Sequence, residues 1–164
     1  MKVAITDANI FIDLIRLELL DYLFKINLEI HTTREVYDQL NPTQKAIAEE
    51  FVLSEALKVY NFSPQEFQEV NQLDCPAGLE MADRTVYYYS QKIAALVLSG
   101  DKKLRTFCKA QELEVRGILW LLDKFVEQRL ITKTVAIEKL TLLLSFNDRL
   151  PVDECQQRLK LWSE

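Results

Sequence analysis

Histidine, glycine, proline and paired cysteine are all scarce in this sequence, and each scarcity removes a class of protein. With one histidine, His31, there is no His cluster for zinc, and any Ser/His arrangement would have to use that single residue. Cys75, Cys108 and Cys155 are widely spaced and form no C-x-x-C pair, so neither a disulfide framework nor a thiolate zinc site is indicated. A reducing cytoplasm is the expected setting. Three glycines and four prolines in 164 residues are too few turn formers for a many-stranded sandwich or barrel. The opening MKVAITDANI breaks its apolar run at Asp7, and no later stretch is long and apolar enough to span a bilayer. No signal peptide, spanning helix or membrane partner is expected. Basic charge is also short: 20 Lys and Arg against 25 Asp and Glu give −5, which argues weakly against a nucleic-acid partner.

What is present fits one helix-rich globular domain. The chain is 49% hydrophobic and 27% charged, the proportions of ordinary soluble domains. KVAIT (2–6) predicts a strand and 9–25 a helix; LEIH (28–31) predicts a second strand. Thr32-x-x-Glu35 has capping-box spacing and opens the helix carrying Val36, Tyr37 and Leu40, which Asn41-Pro42 stops. A helix over 43–57, a strand in LKVYNF and a helix opened by Ser63-Pro64-Gln65-Glu66 follow. After the loop 74–78 come a helix over 79–92, the apolar strand AALVLS (94–99), a basic helix over 102–109 and a last strand in LEVRG (113–117). Such alternation predicts a parallel α/β sheet with helices on both faces. Three further helical patterns, 118–129, 133–146 and 151–162, show no linker or composition break, so 1–164 reads as a single domain with 129–164 as a helical extension.

In a parallel sheet, ligands bind beyond the carboxyl ends of the strands. Asp7, with Asn9 two residues on, follows the first strand; Asp101, with Ser99 two residues before, follows AALVLS. On a helical projection Ala82, Val86 and Ile93 lie within about 60° on one side of Leu79, and Asp83 about 40° on the other, flanking the buried stripe. Ser90 is small enough to let that helix approach the sheet. Glu35, in the first turn after the second strand, is a fourth candidate. Each acid has a structural reading too: Asp7 and Asp101 as helix caps, Asp83 in an ion pair, Glu35 as the capping-box partner of Thr32. His31 reads as an ordinary strand residue. Tyr87, Tyr88 and Tyr89 face three directions on a helix, which predicts at least one in the core and one exposed. Lys102, Lys103 and Arg105 would lie beside any phosphate bound near Asp101.

Taken together, VAITDANIFIDL, TTREVYDQL and LEMADRTVYYYSQKIAALVLSGDKKLRTFC resemble the PIN-domain nucleases, the family of the ribonuclease toxins of bacterial toxin-antitoxin pairs. The resemblance covers about residues 2–126, and the tail after Gln128 resembles the helical extensions of one branch of the family. It implies a three-layer α/β/α PIN-like fold with a central, mainly parallel sheet and extra C-terminal helices. It implies Asp7, Glu35, Asp83 and Asp101 as catalytic acids, with Asp7, Asp83 and Asp101 as ligands of Mg²⁺ or Mn²⁺ and Glu35 as a ligand or water-orienting base. Asn9, Ser99, Lys102 and Lys103 would contact the substrate, which would be RNA. A cognate antitoxin and a second copy of the chain are the further partners it raises. Glu80, one turn before Asp83, and Asp13, in the first helix, are departures from the pattern.

Physics is consistent with that implication. Clustered carboxylates repel until a cation joins them, and a hard divalent ion prefers oxygen ligands. Four site acids account for −4 of the chain's −5, and one or two such ions would add +2 to +4, so the loaded site is not expected to repel RNA. Two other classes are weighed. A haloacid-dehalogenase-like phosphatase needs an acid where Asn9 stands, and a PIN-like module could bind RNA or protein without cleaving.

Overall fold

The structure, a computed structural model, describes residues 1–164. The order is β1 (Lys2–Thr6), α1 (Ala8–Arg16), α2 (Leu20–Leu23), β2 (Leu28–Thr33), α3 (Arg34–Tyr37), α4 (Pro42–Leu53), β3 (Leu57–Tyr60), α5 (Pro64–Asn71), α6 (Met81–Ile93), β4 (Leu96–Leu98), α7 (Lys102–Ala110), β5 (Val115–Arg116), α8 (Ile118–Glu127), α9 (Lys133–Phe146) and α10 (Val152–Trp162). All five strands are parallel, in the order β3-β2-β1-β4-β5. The chain leaves β1 in one direction for β2 and β3, then crosses to β4 and β5 on the other side. Right-handed crossovers taken in opposite directions put their helices on opposite faces, which yields the expected three layers. Covered on both faces, β4 is buried throughout, as its unbroken apolar run predicts.

The helix expected over 9–25 is instead two. Leu19 N–H bonds the carbonyl of Leu14 at 2.8 Å and Glu18 N–H that of Ile15 at 3.0 Å, a closure that needs Glu18 at φ 58°. It turns Leu17 and Leu19 together into the core. Left-handed residues also follow α4, α6, α7 and α8, at Glu55, Ala94, Glu112 and Arg129, and no glycine has a positive φ. The chain therefore makes its helix-ending turns without glycine, accepting strain of about 1 kcal/mol at each.

The reading of Thr32 as a helix cap is corrected. Strand β2 runs on to Thr33, the Thr32 hydroxyl donates to the Thr6 carbonyl at 2.8 Å, and Thr33 caps α3 by accepting from Val36 N–H at 3.3 Å. Glu35 lies within that turn, out of capping register. None of the three tyrosines is exposed: Tyr87 and Tyr89 are buried and Tyr88 is half-buried, because Phe62 and Phe107 cover the helix flanks. His31 sits in β2 with Nδ1 2.8 Å from the Tyr89 hydroxyl, in keeping with a structural role. One core continues from Ala4 and Leu98 into Ala136, Leu140 and Leu143 of α9 and Cys155 and Trp162 of α10.

Helix α6 packs across β1, β2 and β4 and so carries Asp83 to the sheet's carboxyl edge. Ser90 makes the approach possible, being fully buried, yet its hydroxyl has no hydrogen-bond partner. A buried unpaired hydroxyl costs about 1–3 kcal/mol, whereas overfilling a packed site costs a similar amount. Urea unfolding should therefore show Ser90→Ala more stable than wild type by about 1 kcal/mol and Ser90→Leu less stable by about 1–3 kcal/mol.

Candidate active site

Strands β1 and β4 are neighbours whose chains depart to opposite sides, so the crevice beyond them is the switch point of the sheet. Thr6 pairs with Leu98, and one further ladder bond, Asp7 N–H to the Leu98 carbonyl at 3.0 Å, brings Asp7 opposite Ser99. The Ser99 hydroxyl donates to Asp7 Oδ2 and accepts from Asp101 N–H at 3.0 Å. One hydroxyl thus ties the ends of both strands together. Arg105 holds the other side of the same turn, its Nη1 2.8 Å from the Ser99 carbonyl and close over Gly117, where a Cβ would leave only 3.0 Å.

Both helix-cap readings hold: Asp7 Oδ1 accepts from Ile10 N–H at 3.1 Å, and Asp101 Oδ1 from Leu104 N–H at 2.9 Å. The alternative reading of Asp83, an ion pair with Lys or Arg, does not hold; its Oδ2 accepts from Glu80 N–H at 3.3 Å. These caps do not remove the acids from the surface of the site. A cavity of about 520 Å³ is lined by Asp7, Asp83 and Asp101 together with Glu80, Asn9, Lys102 and Lys103. Lys103 reaches across the loop before α6 and lies so close over Gly78 that a Cβ there would meet its Nζ at 2.7 Å. Ser99 stands behind the wall, reaching it through Asp7. Glu35 is not on the wall: Val36 and Gln39 of the same segment are, while Glu35 Oε1 is buried without a partner.

Burial is the largest influence on Asp7 and pushes its carboxyl up to about 6; Ser99 and Ile10 pull it back, and Asp83 and Asp101 push it further up. Asp83 is raised as well, by burial first and then by Asp101 and Glu80. Burial and neighbouring negative charge both disfavour the ionised acids, and a cation would relieve both. The donors are all oxygen, which suits Mg²⁺ or Mn²⁺. They are not drawn together, for no three acid, His or Cys side chains stand close enough to hold an ion. The cause is local, since each carboxylate is turned onto the N-terminus of its own helix.

Asp13 belongs elsewhere, buried beneath this region with Oδ2 accepting from Asn147 Nδ2 at 3.0 Å. Two residues of the cavity, Gln39 and Arg149, carried no local signal in the sequence. Gln39 lies four residues beyond Glu35, and Arg149 comes from the turn between α9 and α10. Cys75, Cys108 and Cys155 are all free, and burial pushes the Cys108 thiol up to about 12, so Cys108 is held as the neutral thiol.

In a doubly wound α/β chain the crevice at the switch point is where ligands bind as a rule, and here it is lined by carboxylates. Over residues 3–164 its sequence matches the PIN domain family, and the chain belongs to that family, whose members are generally nucleases. Among solved structures, a domain of a functionally unknown protein from Methanocaldococcus jannaschii DSM 2661 is similar over 72% of this chain and 91% of its own, at 19% identity and a TM-score of 0.46. No curated protein matches the chain.

Asp7 gives a test of the site's electrostatics. Its pKa is raised in the fold, so the native chain holds that proton more tightly than the unfolded chain. The associated stability is full below the ordinary value of 3.8 and is lost as the pH rises through about 6. Asp7→Asn keeps the cap and removes the buried charge. In EDTA, thermal melts should show the variant more stable than wild type by about 2–3 kcal/mol at pH 7.5, with the gain vanishing near pH 4.

Proposed function

We propose that the protein is a metal-dependent endoribonuclease that hydrolyses RNA phosphodiesters at this cavity. The observation that carries the reading is that Asp7, Asp83 and Asp101, from three separate segments, line one crevice at the switch point of a PIN domain. Asp7, Asp83 and Asp101 would hold Mg²⁺ or Mn²⁺, which when bound supplies positive charge against the phosphodiester and lowers the pKa of water. The protein's own groups have separate tasks. Ser99 and the Ile10 N–H fix the Asp7 carboxylate, Asn9 offers an amide at the cavity wall, and Lys102 and Lys103 attract the phosphate. Glu80, which lines the cavity, is the candidate to orient the attacking water, the part that the family resemblance gives to Glu35, which stands off the wall. The family resemblance suggests the toxin of a toxin-antitoxin pair as the setting, with a cytoplasmic location and an antitoxin as partner.

A second reading, a PIN-like module that binds RNA or protein without cleaving, is favoured by the use of each carboxylate as a cap acceptor. Asp101→Asn separates the two. Asn caps a helix about as well as Asp but carries no charge for a cation. Single-stranded RNA incubated with Mn²⁺ should be cleaved by wild type and about a hundredfold or more slowly by Asp101→Asn, with both proteins equally folded by circular dichroism. Millimolar Mn²⁺ should also raise the melting temperature of wild type more than that of the variant. Equal cleavage by the two proteins, or wild-type cleavage that survives EDTA, would remove the metal-dependent reaction at this cavity, and RNA binding by wild type without any cleavage would favour the binding module.

A further inference from the structure

Beside the acid cavity lies a larger groove of about 610 Å³ with a basic wall, in a protein of net charge −5. Lys102, Arg105, Lys109, Arg116, Arg149 and Arg158 line it, against one acid, Glu154. Two of the six are already neutralised, Arg116 by Glu114 at 3.4 Å and Arg158 by Asp123 at 2.7 Å. None of Lys102, Arg105, Lys109 and Arg149 has a carboxylate oxygen within 4.0 Å, and only Arg149 is near enough to a buried acid, Asp13, to pull its carboxyl down against the rise that burial causes. Unneutralised cations on one wall repel each other and focus a positive potential into the groove, so its fitting occupant is a polyanion.

Two features narrow the choice. Lys102 and Arg149 line both this groove and the acid cavity, so a chain lying in one runs into the other. Trp120 is half-buried in the groove wall with Arg116 over its ring at 5.9 Å and Lys124 over it at 5.4 Å, so a base can stack there by taking the place of one of these long, mobile side chains. Arg149 is placed by the helical extension: Asn147, buried and bonded to Asp13 of α1, accepts from Arg149 N–H at 3.0 Å.

We propose that this groove carries the backbone of single-stranded RNA, with phosphates on Lys102, Arg105, Lys109 and Arg149 and a base against Trp120, so that the C-terminal extension completes the substrate site. The identity of the polyanion rests on the nuclease reading; the groove and its charge do not. Full-length protein in EDTA would be titrated against fluorescein-labelled oligouridylate, with binding followed by anisotropy across a range of salt. Four phosphate contacts give log K a slope of about −3 against log salt, at about 0.7 per phosphate on a single strand. Lys109→Ala/Arg149→Ala should halve that slope and weaken binding about tenfold at low salt. Arg149→Lys should keep the slope, and Lys160→Ala, outside the groove, should bind as wild type. A double variant that is folded and binds with the wild-type slope overturns the proposal, as does polyglutamate binding more tightly than the RNA at equal charge, which would mark a site for acidic protein. Wild-type RNA binding of the expected slope without any Mn²⁺-dependent cleavage supports the groove and removes the nuclease reading. Cleavage that Lys109→Ala/Arg149→Ala leaves intact overturns the groove and leaves the nuclease reading standing.

Discussion

The bond between the Ser99 hydroxyl and the Asp7 carboxylate joins the two strands at which the sheet changes direction, and the rest of the site is arranged around it. A carboxylate that deep is unfavourable, as its rise to about 6 records. It is tolerated because three polar groups converge on the turn: the Ser99 hydroxyl, the Ile10 N–H and the Asp101 N–H that bonds back to Ser99. Through Ser99, the start of α7 is fixed relative to the end of β1. Hence Asp101 and the lysines that follow it have their position set by a contact 92 residues apart in sequence.

Capping and catalysis are usually weighed as rival explanations for an acid at the start of a helix. Here one set of side chains does the first and is proposed for the second. The N-terminus of a helix stabilises a carboxylate through its free N–H groups and its dipole, each effect worth about 1 kcal/mol or less. That is enough to keep Asp7, Asp83 and Asp101 separated and individually satisfied in the absence of a cation. It is small beside the attraction that a divalent ion would exert on three carboxylates, so the caps would not prevent the closer arrangement that the proposed function requires.

Charge is also separated in space in a way the net value hides. Acids gather where β1, β4 and the start of α6 meet, and unpaired cations gather along α7 and the turn after α9. An overall charge of −5 argued weakly against a nucleic-acid partner, but a sum over 164 residues says nothing about which face carries which sign. The buried Asp13–Asn147 pair is the hinge of this arrangement, because it fastens the extension to α1 and brings Arg149 between the two regions.

The alternation of strands with amphipathic helices, and with it the three-layer class, was legible from residue pattern, as were Asp7 and Asp101 at strand ends and Asp83 beside a buried stripe. These follow from local periodicity and from the rule that functional groups sit beyond the carboxyl ends of parallel strands, both of which a sequence carries. The break at Glu18 and the extension of β2 to Thr33 were not legible. A left-handed Glu is disfavoured locally and persists only because Leu17 and Leu19 gain burial, and Thr32 leaves its expected cap because the Thr6 carbonyl lies within reach across the sheet. Tertiary packing likewise set Glu35 off the cavity wall and Gln39 on it, since on so short a helix the facing residue depends on how the turn docks against α6. By itself the sequence determined which chemical groups this protein has and which strand ends they follow. Only the folded chain decided that Arg149, 142 residues beyond Asp7 in sequence, lines the same cavity, because that proximity is made by long-range burial and not by any local preference.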